Sequence, residues 1–268
     1  MRAALRYNSL MSQNGHVDFH CHLDDPCFAE SRWQIIDRCF AAGFAKLVTV
    51  ADAYDERSLA QTLEILAYHA DIACTAGAHP HQADHYSPEV EKRLLAVLQL
   101  PRVFALGEVG LDFHYDLSRR DNQEAVFRRQ VAIAREQALP LVIHSRKAET
   151  LVLKILEQEK FVAPVVFHCY TGDAASAAEI CARGYFLSFS GIITFKKADE
   201  LRAVVAATPL AQLLSETDSP YLAPEPERGR TNTPLSVVRV VEKIAEIKNI
   251  AIPELLERIN ENCRRLLP

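Results

Sequence analysis

The sequence lacks several features that would each have fixed its class early. It has only nine glycines in 268 residues, and none stand in a GxGxxG spacing. That excludes the dinucleotide-binding turn of an open doubly wound sheet. Its seven cysteines are an odd number and no two form a CxxC pair. Neither a disulfide framework nor a paired-cysteine zinc or redox motif is written here, and the scattered thiols point to a reducing, cytoplasmic setting. No apolar run approaches the ~20 residues of a membrane span. Lys and Arg number 30 against 35 Asp and Glu, a net charge of -5. The basic excess of a bulk-electrostatic nucleic-acid binder is therefore missing. Repeats and low-complexity tracts are absent too, and 49% hydrophobic with 24% charged residues is ordinary globular composition. No feature calls for an obligate protein partner.

What is there is an alternation. Strand-like runs at His16–His20, Lys46–Ala51, Ile72–Ala78, Val103–Glu108, Leu141–His144, Val165–Cys169, Phe186–Ser190 and Leu213–Glu216 are each followed by a helical stretch. The helices are expected near Glu30–Ala42, Glu56–Ala70, Pro88–Leu100, Asn122–Ala138, Ala148–Glu159, Ala174–Ala182, Ala198–Ala207, Leu235–Lys248 and Pro253–Leu267. Most strand runs are apolar throughout, as when both faces of a parallel sheet are covered. Eight such units predict an α/β fold, a single (β/α)8 TIM barrel spanning residues 16–268. Residues 1–15, MRAALRYNSLMSQNG, read as a flexible N-terminal extension, since no apolar run follows their two arginines as in a secretory signal.

Ten histidines are present, most of them in short clusters at the expected strand ends. The first strand ends His20-Cys21-His22, and residues two apart in an extended segment share a side. The third ends at His79-Pro80-His81, the fourth at Glu108, the fifth at His144 with Arg146 just beyond, the sixth at His168, and the eighth at Glu216-Thr217-Asp218. Taken singly, each could be a satisfied core polar group or a helix cap. Taken together they converge on the mouth of a closed barrel, where catalytic residues of this fold gather. His20, His22, His144, His168, Glu108 and Asp218 are too many donors for one open tetrahedral site. They suit two divalent ions about 3.5–4 Å apart. Zinc is the natural occupant of histidine-rich ligation, with Mg, Mn or Co as alternatives.

These residues lie in segments that resemble the TatD family of metal-dependent deoxyribonucleases, within the amidohydrolase-like TIM-barrel hydrolases. The segments are VDFHCHLDD, GAHPH, ALGEVGLDF, PLVIHSR, VVFHCYTG, FLSFSGIITFK and LLSETDSPYLAP, followed by RGRTNTP. They follow the family order across about residues 16 to 265. The resemblance implies that His20, His22 and Asp218 hold one metal ion, that His144 and His168 hold the second, and that Glu108 bridges them. It implies that Asp218 also orients the attacking water as its base, that His79 touches the scissile phosphate, and that Arg146 is a further substrate contact. Lys196, Lys197 and the Arg228–Arg230 loop are weaker candidates for phosphate contact, with solvated surface charge as their alternative. The implied activity is hydrolysis of DNA phosphodiesters from an exposed 3′ end or at damaged sites.

The same ligands could serve a small-molecule amidase, lactonase or phosphotriesterase, because fold and metal do not fix a substrate. A non-catalytic metal-binding scaffold is a third reading. It sits poorly with a sequence that keeps all six candidate ligands. The sequence departs from the family in carrying more residues ahead of its first strand. The bridging position on the fourth strand is Glu108 rather than the relatives' carboxylated lysine. That substitution favours a phosphodiester over a dihydroorotase-like substrate.

Overall fold

The computed structural model describes residues 15–267, so the expected extension over residues 1–15 lies outside the described residues save Gly15. The elements alternate: β1 His16–Cys21, α1 Arg32–Ala41, β2 Phe44–Asp52, α2 Glu56–Tyr68, β3 Ile72–Gly77, α3 Pro88–Val97, β4 Val103–Asp112, α4 Arg120–Gln137 and β5 Leu141–Arg146. They continue with α5 Glu149–Gln158, β6 Val165–Phe167, α6 Ala174–Ala182, β7 Phe186–Phe189, α7 Asp199–Ala207, β8 Leu213–Ser215, α8 Val237–Lys248 and α9 Ile252–Leu266. Neighbouring strands pair in parallel in chain order from β1 to β8, giving the (β/α)8 TIM barrel.

Local chemistry sets the helix ends. The Asp55 and Asp173 side chains accept the Arg57 and Ser176 amides at the starts of α2 and α6. These bonds satisfy donors that a helix N-terminus leaves open. Helix α8 buries Val237, Val240, Val241, Ile244 and Ala245, one apolar stripe at helical spacing, against the sheet. Strands β3 and β4 are buried along their whole length, which explains their continuous apolar runs.

The seam between β8 and β1 closes through the segment just past β8. The Asp218 amide donates to the His20 carbonyl at 2.9 Å, and the His22 amide donates to the Ser219 carbonyl at 2.8 Å. Beneath them the buried Asp18 carboxylate accepts the Thr217 amide at 2.8 Å and the Thr217 hydroxyl at 2.6 Å. The seam thus places the first and last strands' functional residues side by side.

Every strand end lies one residue or more from the sequence expectation, and two of these differences bear on the site. β4 does not stop at Glu108 but runs on to Asp112. Between Leu106 and Val109 it advances three residues while β5 advances two, from Leu141 to Ile143. This bulge re-aims Glu108 toward the mouth, a common use of an extra residue beside a site. Past the bulge, Gly110 has φ +142°, and a Cβ there would lie 2.0 Å from the His144 carbonyl oxygen. Only glycine lets β4 and β5 approach so closely. β6 ends early, at Phe167, because the Cys169 amide leaves the ladder to donate to Glu216 Oε1 at 2.6 Å.

Candidate metal centre

A cavity of about 560 Å³ opens at the C-terminal ends of the strands. His22, His79, Glu108, His144, Arg146, His168 and Asp218 all contribute to its wall. His20 stands in the part of β1 where three residues, from Asp18 to Cys21, pass two of β2, and it lies fully buried just below the mouth.

The cluster is built around one carboxylate. Glu108 Oε1 lies 2.7 Å from His144 Nδ1, 2.7 Å from His168 Nε2 and 3.1 Å from His79 Nε2. Its other oxygen, Oε2, lies 3.3 Å from His20 Nε2 and 4.0 Å from His22 Nε2. Asp218 Oδ1 closes the second group, at 3.4 Å from His22 Nε2 and 3.9 Å from His20 Nε2. Glu108 therefore presents one oxygen to each of two nitrogen sets. The donors His20, His22 and Glu108 are close enough to share one ion, as are Glu108, His144 and His168.

Electrostatics in this pocket run against burial. Burial alone would raise the Glu108 carboxyl, but the His168, His79 and His144 imidazoles outweigh it and hold it well below the usual carboxylate range. Burial opposes charge on His22, yet the Asp218 carboxylate pushes it up to about 9. His168 is likewise raised, by Glu108 and Glu216 against burial. His20 is lowered by burial and by the charge of His168. Its Nε2 makes no well-angled hydrogen bond within the protein although it faces Glu108. A buried ring nitrogen without a proton partner, aimed among carboxylate oxygens and other ring nitrogens, is a donor set suited to a borderline divalent cation.

Supporting groups fix the rings. Asp112 is fully buried, and its Oδ2 accepts from His144 Nε2 at 2.9 Å and from His81 Nε2 at 2.8 Å. The other ring nitrogen of His144, Nδ1, is thereby held facing Glu108 Oε1 at 2.7 Å. Glu216 is also fully buried and lies 3.4 Å from His168 Nδ1, on the side of the ring away from Glu108. Carboxylates behind ligand histidines set tautomer and orientation at metal sites. For His79, the His81 amide donates to Nδ1 at 3.1 Å, which leaves the proton on Nε2. Burial pushes His79 down to about 4, so at neutral pH it is an uncharged donor whose Nε2 faces Glu108 Oε1 at the cavity wall.

Sequence reasoning singled out neither Asp112 nor Glu216 as site residues. The one signal for either was proximity: each is a carboxylate two to four residues from a candidate ligand. Of the weaker phosphate-contact candidates, Lys196, Lys197, Arg228 and Arg230 are exposed and do not line the cavity. The Arg228 guanidinium instead lies over the Phe195 ring, 4.3 Å from its centre.

Comparison with known proteins gives a consistent pattern. The family model described as TatD related DNase matches residues 17–268. The uncharacterized metal-dependent hydrolase YabD of Bacillus subtilis is 36% identical over 250 residues, covering 93% of this chain and 97% of the relative. The 3′-5′ ssDNA/RNA exonuclease TatD of Erwinia tasmaniensis is 33% identical over 258 residues, covering 93% and 98%. Among solved structures, the TatD homologue YJJV of Escherichia coli superposes with a TM-score of 0.88 at 26% identity, covering 95% of this chain and 98% of that one.

Proposed function

The chain belongs to the TatD-related DNase family and is a metal-dependent hydrolase, and from that premise we propose that it hydrolyses phosphodiester bonds in nucleic acid, working inward from a strand end. The observation that carries this reading is the Glu108 carboxylate, whose two oxygens face two separate sets of imidazole nitrogens. His20, His22 and Asp218 would hold one divalent ion, His144 and His168 a second, and Glu108 would bridge them. When bound, such a pair supplies Lewis acidity at the phosphate and makes a water near it more acidic.

The chain's own groups do the rest. Asp218 borders both the cavity and His22, and its carboxyl is held below the usual range. Burial opposes that shift, but the hydrogen bond from His22 and the charge of His168 outweigh it. It thus stays ionised at neutral pH and takes the proton of the attacking water. His79 donates from Nε2 to a non-bridging phosphate oxygen, stabilising the charge that develops there. Arg146, partly exposed on the cavity wall, supplies a fixed positive charge beside it. The site lies sunk in a barrel mouth, which suits a strand terminus or an extruded nucleotide better than a continuous duplex. The free cysteines suit the reducing cytoplasm.

One observation favours a second reading. Asp24, Asp25, Asp52 and Asp55 line the β1–β2 side of the same cavity, a poor surface for a polyanion. A small uncharged amide, lactone or phosphotriester would avoid that repulsion. The deciding experiment loads the purified protein with Mn²⁺ or Zn²⁺ and offers linear single-stranded DNA, circular single-stranded DNA and a panel of lactones and phosphotriesters. The nuclease reading expects loss of nucleotides from the linear strand alone, abolished by Asp218→Asn. Turnover confined to the small-molecule panel would replace it with the second reading. Nuclease activity surviving in Asp218→Asn would expose a contaminant.

A further inference from the structure

Seven large apolar side chains are exposed among the described residues, and two of them, Tyr115 and Tyr221, line the cavity. They are 58% and 55% exposed, at the rim of a site whose other aromatic rings are histidines already committed to the centre. Tyr115 follows β4 and Tyr221 follows β8. In an eight-stranded barrel numbered in chain order, those two strands stand half a turn apart. The rings therefore rise from opposite sides of the mouth, with the candidate metal ligands between them.

Both are anchored at the backbone and open at the ring. The Tyr115 amide donates to Asp112 Oδ1 at 2.8 Å, the same carboxylate that holds His144 and His81. The Tyr221 amide donates to the Asp218 carbonyl at 3.0 Å, and the Tyr221 carbonyl accepts from Asn232 Nδ2 at 2.7 Å. The Tyr221 hydroxyl donates to Asp25 Oδ2 at 3.3 Å, which fixes the ring's tilt. Each ring is braced by a near-perpendicular histidine, His81 beside Tyr115 at 5.7 Å and His22 beside Tyr221 at 5.9 Å. Each tyrosine is thus indexed to the centre by a residue that forms or supports it. Rigid aromatic faces beside a site that cuts a flexible strand are what nucleobases stack on, without regard to sequence. The acidic β1–β2 wall strengthens the case, since recognition through bases avoids the repulsion that recognition through the phosphate chain would meet there.

We propose that Tyr115 and Tyr221 are stacking platforms for the two nucleobases that flank the scissile phosphate, one on each side. The inference rests on the nuclease reading above. The test uses the metal-loaded protein with a single-stranded oligonucleotide and with copies carrying a tetrahydrofuran abasic nucleotide at the terminal or the penultimate position. Tyr115→Ala and Tyr221→Ala should each lower kcat/KM on the full oligonucleotide by about five- to a hundred-fold, the range of one lost base–aromatic stack. Tyr115→Phe should keep it, Tyr221→Phe, which loses only the tether to Asp25, should keep most of it, and Tyr→Leu at either position should lose it. On the copy lacking the base that a given ring serves, the Ala substitution should have no further effect, and base removal alone should reduce the unaltered protein's rate to the same degree. Full activity in both Ala variants, or losses of equal size with and without the base, would overturn the inference while leaving the nuclease reading intact. An unaltered protein that cuts no oligonucleotide removes both.

Discussion

Glu108 concentrates the risk of the centre in one residue. Its two oxygens serve two nitrogen sets, so a change there should be felt at both. Glu108→Gln is expected to lower metal content at both positions, measured by elemental analysis after equilibrium dialysis. Retention of one ion at full affinity would show that Glu108 does not bridge. The residues behind the ligands make a second, graded case. Glu216 backs His168 from a fully buried position, and Glu216→Gln should weaken metal binding by about ten- to a hundred-fold, the usual cost of losing such a partner. Unchanged affinity in a folded variant would reduce Glu216 to a core polar group. Protons report on the same groups. His22 is held up to about 9 by Asp218 against burial, and His168 is raised by Glu108 and Glu216. Without a cation these rings are protonated at pH 7, and a ring must lose its proton before it can act as a ligand. Metal uptake should therefore release protons, and affinity should fall as pH drops from about 9 toward 6. Calorimetry in buffers of different ionisation enthalpy counts those protons, and a count near zero would contradict the assignment.

At the level of elements, the bulge in β4 is where Glu108, the candidate bridging ligand, meets the imidazoles of the cavity. Gly107 and Glu108 together pass one residue of β5, and Gly110 lets the strand return to register against His144. Gly110→Ala places a side chain on backbone at φ +142° and against the His144 carbonyl. It should cost about 2 kcal/mol or more in urea denaturation and should reduce metal binding along with stability. A variant as stable as the parent would mean that the two strands can part without consequence. The same region marks how far the sequence could be read. Eight apolar runs separated by helical stretches were legible because both sheet faces are covered, as the wholly buried β3 shows. The six candidate ligands were legible because each is a metal-competent side chain at the end of such a run, and the fold gathers those ends. The bulge was not legible, because an inserted residue leaves no mark on a continuously apolar strand. Asp112 was hidden for the same reason, lying beyond the point where the run seemed to stop at Glu108. Glu216 was masked by its neighbour Asp218, since spacing alone does not say which carboxylate of Glu216-Thr217-Asp218 faces the cavity and which lies beneath it. The seam answers that: Asp18 takes both Thr217 donors and sets the rotation of the segment.

For the whole molecule, net charge and local charge make different statements. The chain carries -5 overall, and five aspartates and Glu108 share the cavity wall with one arginine, Arg146. The lysines and arginines expected as further phosphate contacts stand outside that cavity. A protein binding single-stranded DNA through an extended basic track releases many counterions, and its affinity falls steeply with salt, by a log–log slope of about −0.7 for each phosphate neutralised. Among the described residues the cavity wall carries no such track, so the grip on a strand should come from the centre itself and from stacking at the rim. The slope of log(kcat/KM) against log[KCl] should then be shallow, between about −1 and −2, equivalent to only one to three phosphates. The measurement needs a fixed, saturating metal concentration, so that salt acts on substrate capture and not on metal loading. A slope steeper than about −4 would demand contacts with six or more phosphates. It would place the exposed Lys196, Lys197, Arg228 and Arg230 back on the path of the substrate. A shallow slope would instead explain how an acidic protein can act on a polyanion: it meets only the end of the chain, and so only a few of its phosphates.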